Sequence, residues 1–244
     1  MAEIYEAEPI IPPDPREKLR RPVNSNVRAH MGCWEIEETR EHIRRLFGDD
    51  QLELAKPCLR SVVDRQTYAR IHFQDAKAKI DSYTQTTLQN ASLFEVSFGD
   101  SEAWVDFNIF IREVSAHLTA CVQSIHAVPD ILAHAIYYSL GLNQAVGALK
   151  ARDICAGSVL KLLKREPLLN TIASLLDSLV SAEKFTHLAA LTNQAKHRSI
   201  VFPTLNEDLT GTREKRHIVA FPAFVHDDRT FPQVFADDFI ALEY

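Results

Sequence analysis

Glycine is scarce in this 244-residue chain, with seven in all. That number is too small for a glycine-rich nucleotide-binding α/β protein or a turn-rich barrel. Neither G-x-G-x-x-G nor G-x-x-x-x-G-K-[ST] occurs. The G-x-S-x-G elbow of the α/β-hydrolases and the H-E-x-x-H zinc signature are also missing. The four cysteines, Cys33, Cys58, Cys121 and Cys155, are widely spaced and form no C-x-x-C pair. Reduced thiols buried as small apolar groups, in a cytoplasmic protein, are therefore expected. No apolar run approaches the roughly 18 residues of a membrane span, so no membrane is expected as a partner. The opening "MAEIYEAEPIIPPDP" has no basic segment followed by an apolar one, so a secretory signal is not expected. A formal net charge of -6 excludes a uniformly basic nucleic-acid coat. Local positive surface stays open, because acid gathers late in the chain, at Asp227, Asp228, Asp237, Asp238 and Glu243.

What is present is helical periodicity. Residues 1–32 carry Pro9, Pro12, Pro13, Pro15 and Pro22 and predict an extended or disordered arm suited to a partner protein. "CWEIEETREHIRRLFG" (33–48) predicts a short amphipathic helix stopped by Gly48. From Cys58 to about Ala91 the chain has neither glycine nor proline. Val62, Val63, Ala69, Phe73, Ala76, Ile80, Tyr83 and Leu88 recur there at helical spacing, so one long helix is expected. A second, strongly apolar helix is expected from Glu102 towards Leu140, capped by Asp100 or Ser101 and bent or interrupted by Pro129 near Ala127. A weaker segment broken by glycines follows. One further helix is then expected from Pro167 to Arg198, with Leu169, Ile172, Leu175, Leu176, Leu179 and Val180 as its core stripe. Past residue 199 the β-branched and aromatic runs "SIVFPTL" and "KRHIVAFPAFVH" predict a hairpin or pair of strands, then a short helix. The expectation is an all-α antiparallel helical bundle over 33–200, with a β-hairpin and short terminal helix over 201–244.

Two polar constellations stand out. Asn193 and His197 lie four residues apart on one face of a helix. Lys196 is displaced by about 60° from Asn193 in projection, and Arg198 follows. An imidazole titrating near neutrality moves protons, and neighbouring cations steady a phosphate during transfer. This set suits metal-free RNA cleavage by a 2′-hydroxyl. Lysine, histidine and arginine also belong at helix C-termini for electrostatic reasons alone, so both readings stand. The second set, His126, Asp130 and His134, is spaced i, i+4, i+8. It fits a carboxylate-satisfied core cluster, a helix restart beside Pro129, or part of a metal site that still lacks a ligand. The structural reading is preferred, and neither a metal nor another cofactor is assigned. The basic residues Lys150, Arg152, Lys161, Lys164 and Arg165 are taken as a solvated face.

A helical bundle whose last long helix carries N-x-x-x-H resembles the HEPN superfamily of prokaryotic defence and toxin proteins. The family motif is an arginine, a polar residue (often asparagine), three more residues and a histidine. "TNQAKH" places Asn193 and His197 on it and puts Thr192 where the arginine belongs. The likeness spans about residues 100 to 200. It implies an endoribonuclease or RNA-binding protein of an antiviral defence or toxin–antitoxin system, working as a homodimer that brings two motif helices into one cleft. His197 would then act as acid or base, Asn193 would orient phosphate or ribose, and Lys196 and Arg198 would supply charge. Members without the arginine are often non-catalytic assembly modules, so Thr192 keeps a helical interaction protein as the alternative. A metal-binding bundle built on His126, Asp130 and His134 is the third.

Overall fold

The computed structural model describes residues 35–99 and 101–240. The arm expected over 1–32 lies outside them, as do Cys33 and Trp34. The fold is a helical bundle with a small antiparallel β appendage. Its elements are α1 (Ile36–Phe47), α2 (Asp49–Thr86), α3 (Leu93–Phe98), α4 (Ser101–Ser139), α5 (Ala156–Leu163), α6 (Asn170–Ser181) and α7 (Glu183–His197). They are followed by β1 (Thr204–Glu207), β2 (His217–Phe221), β3 (Phe224–His226), β4 (Arg229–Phe231), β5 (Val234–Phe235) and α8 (Ala236–Ile240).

The chain divides into two compact units, each assembled from separate stretches. The first comprises residues 35–60 and 130–159. Gln51, 2% exposed, organises it. Its amide donates to the Tyr138 carbonyl at 2.5 Å and to Asn143 Oδ1 at 2.7 Å. Its own Oε1 accepts from Asn143 and Gln144. A buried amide used on both sides avoids the desolvation cost of an orphaned polar group. Gly141 turns the chain at φ 62, and a Cβ there would sit 2.6 Å from the Phe47 ring. Both the dihedral and the close approach require glycine.

The second unit comprises residues 61–129 and 160–240. Its core joins α2 (Ala69, Ala76), α4 (Val114, Leu118, Cys121, Val122) and α7 (Leu188, Leu191) to β1, β2 and α8 (Leu205, Val219, Phe221, Phe239, Ile240). Tyr83 stacks on Phe110 at 4.0 Å and 9°. The strands and the helices thus seal one continuous core, and each fully buried leucine or valine stabilises it by about 1.5–3 kcal/mol over exposure. β2 lies between β1 and β5, antiparallel to both, and β3 and β4 form a separate hairpin. Asp227 and Asp228 turn that hairpin at φ 47 and 60, left-handed positions that aspartate tolerates better than most residues.

Several boundaries differ from the sequence expectation. The long helix α2 begins at Asp49 and carries Pro57 inside it, nine residues before the expected start. Residues 93–98, for which no element was expected, form α3. Ser92 accepts from the Glu95 amide, and Glu95 Oε2 accepts from the Ser92 amide, a reciprocal capping box. Pro129 does not interrupt α4, which runs unbroken to Ser139. The helix expected from Pro167 to Arg198 is two helices, broken at Ala182 (φ -58, ψ 137). The cause is phase. Leu176 and Leu188 are both buried, yet twelve residues at about 100° each leave them about 120° apart on a straight helix. The break lets each helix turn its own stripe inward, and it leaves Leu175, expected in the core, 66% exposed. The β region holds five short strands, more than a hairpin, because Pro222 and Pro232 divide its apolar runs.

Candidate functional site

The end of α7 is built by an alternation of buried and exposed positions. Leu188, Leu191 and Thr192 face the core, Asn193 is half-buried, and Lys196, His197 and Arg198 are exposed. Lys196 and His197 occupy the last turn, where positive charge meets the helix carbonyl end favourably. The Arg198 and Ser199 amides both donate to the Gln194 carbonyl at 2.9 Å and close the helix.

The structure treats the neighbours of His197 unequally. The Arg198 guanidinium donates to Asp227 Oδ1 at 2.7 Å across to the β3–β4 turn. Gln194 Oε1 lies 3.1 Å from His226 Nδ1, and its amide donates to Ser199 Oγ at 3.2 Å. The side chains of Asn193, Lys196 and His197 engage no hydrogen bond, ion pair or ring among the described residues. Thr192 is 0% exposed, and its hydroxyl has no partner. Position 192 therefore points into packed core.

His126, Asp130 and His134 share α4 but serve different neighbours. Asp130 Oδ1 accepts the Ala156 amide at 2.9 Å, anchoring the first turn of α5. His126 stacks on Phe185 at 5.8 Å and 3°, and His134 lies 6.3 Å from the Tyr138 ring. Their ligand atoms do not form a metal-sized group among the described residues. The carboxylate works as an anchor for a neighbouring helix, not as a restart signal beside Pro129, since α4 is unbroken there.

No family model, characterised protein or solved structure matches this chain.

Two arrangements escape the sequence reading. His187, 6% exposed, stands among Phe224, Phe231 and Phe239 at 5.1–5.6 Å between ring centroids. Its Nε2 has no partner. It lines a cavity of about 420 Å³ whose rim carries Glu183, Lys184, Arg229 and Asp238. Burial, and to a lesser degree Arg229, push its imidazole below the usual histidine range, with Glu183 opposing. The only local signal was a histidine one turn before Leu191 on the buried stripe, which is indistinguishable from an ordinary core histidine. The second arrangement brings His72 and Asp75 of α2 together with His117 of α4. Its α2 half was visible as H-x-x-D, but nothing in a linear reading pairs it with a histidine 45 residues on.

Proposed function

We propose that this chain is an HEPN-like RNA-binding protein that contacts the phosphate backbone through the last turn of α7 and acts as a homodimer. The observation that supports this most is the set of polar groups held unspent there. Lys196 and His197 are exposed, Asn193 is half-buried beside them, and no other described residue takes up their donors. The helix end itself repels anions through its carbonyls, so attraction must come from the side chains and should weaken steeply with salt. Binding without cleavage is the favoured form. The family arginine position is Thr192, sealed in the core, and Arg198 is already paired with Asp227. Exposed apolar side chains support a second copy as partner: Phe94 and Phe98 at 70% and 76%, Trp104 at 51% and Ile109 at 53%.

The test is fluorescence anisotropy of a labelled single-stranded oligoribonucleotide across a salt series, with gel analysis of the same RNA in EDTA. Saturable binding is expected, with intact RNA. Lys196→Ala should lower the slope of log affinity against log salt by about 0.7. Asp227→Asn should release Arg198 and tighten binding. Absence of binding at low salt, or affinity indifferent to both substitutions, overturns the reading. Cleavage in EDTA that His197→Ala abolishes, with the melting temperature unchanged, replaces it with the ribonuclease reading of the same site.

A further inference from the structure

His72 and His117 approach each other from two different helices. Their Nδ1 atoms are 3.3 Å apart, and their ring centroids are 5.5 Å apart at 49°. Asp75, one turn after His72 on α2, brings its Oδ2 to 3.7 Å from His117 Nδ1. One ligand atom from each of the three residues lies within 4.8 Å of the others.

We propose that His72, Asp75 and His117 form a binding site for a divalent transition ion of the zinc class. Three observations carry it. The donor set is two imidazoles and one carboxylate, which suits zinc, cobalt or nickel better than magnesium or calcium. The spacing fits a tetrahedral site: bonds of about 2.05 Å put two ligand atoms about 3.3 Å apart, and the histidine pair already stands at that separation. The surroundings are prepared on one side and open on the other. One turn after Asp75 on α2 and one turn before His117 on α4, Lys79 binds Glu113 at 2.6 Å. This holds the Glu113 carboxyl below the usual carboxylate range, chiefly through the Lys79 hydrogen bond, and keeps its charge engaged outside the ligand set. His72 and His117 are half-buried, while Asp75 is exposed, so an ion enters from solvent and retains water at the remaining position. Three protein ligands with one open position is the arrangement that leaves a metal able to take an exogenous ligand. Without metal, the same pair is a simple imidazole–imidazole hydrogen bond, one ring donating and the other accepting. The site involves none of the α7 residues, so it stands or falls separately from the RNA-binding proposal.

Titration of the full chain with Co2+ decides between these states. One saturable equivalent is expected, with a visible d–d band and no near-ultraviolet thiolate charge transfer, since no cysteine is among the ligands. His72→Ala and His117→Ala should abolish the band. Asp75→Asn, at an exposed position that leaves folding intact, should weaken binding by more than about tenfold, the scale on which even outer-shell partners count. Zn2+ should displace cobalt and raise the melting temperature of the native chain but not of His117→Ala. A thiolate band, no saturable binding, or binding unchanged in Asp75→Asn and His117→Ala each overturns the proposal and leaves the hydrogen-bonded pair.

Discussion

His187 shows how one side chain sets a solution property. It is buried among three phenylalanine rings with Nε2 unpartnered, so the neutral ring is the form the fold accommodates. Its folded pKa lies below the unfolded one. Above the unfolded value, near 6.5, the ring is neutral in both states and costs nothing. As pH falls below that value the unfolded chain takes up a proton that the folded chain refuses, and stability declines until the folded pKa is passed. His217 shifts the same way, through burial first, with Glu207 opposing. Urea denaturation at pH 7.5, 6.5 and 5.5 should therefore show falling stability, and His187→Leu should flatten that dependence. An unchanged slope in the variant would show that the cavity hydrates and protonates the ring at no cost.

At the scale of elements, α3 is the clearest case of a short helix held by its ends. Six residues are too few to be stable alone. The Ser92–Glu95 box supplies two of the missing partners, and the Leu93 amide donates to Glu207 Oε2 at 3.1 Å. Ser92→Ala should cost about 1 kcal/mol, seen as a lower urea midpoint with the slope unchanged. S-x-x-E is present in the sequence at 92–95, but the apolar run after it is only one and a half turns long, too short for helical periodicity to show. The long helices α2 and α4 were legible because their period persists over many turns. The break at Ala182 was not, because no glycine or proline marks it; only the phase slip between Leu176 and Leu188 does, and that shows once both are known to be buried. The candidate site divides the same way. Asn193, Lys196 and His197 were legible as a helix end, since spacing alone places them. The neutralisation of Arg198 by Asp227 and the meeting of His72 with His117 depend on tertiary pairing that spacing does not encode.

For the whole molecule, the proposed homodimer makes a separate claim. Phe94 and Phe98 contact each other, with ring centroids at 5.1 Å, on an otherwise exposed surface. Sedimentation equilibrium should give a dimer, and Phe98→Glu should shift it towards monomer without altering far-ultraviolet dichroism. A native chain that sediments as a monomer at all accessible concentrations would rule the dimer out and return that face to some other occupant. Among the described residues no helix is long and apolar enough to cross a membrane, and the formal charge of -6 leaves the cationic end of α7 as a local feature on an acidic protein.

The interleaved make-up of the two units also bears on how the chain is born. Residues 35–60 leave the ribosome well ahead of the 130–159 stretch that completes their unit, with sixty-nine residues of the other unit in between. At roughly 5–20 residues per second that is a delay of about 3–14 s. During it Gln51 lacks Tyr138, Asn143 and Gln144, the partners that later satisfy its buried amide, so this stretch waits with a polar group unpaired and gains from a holding chaperone.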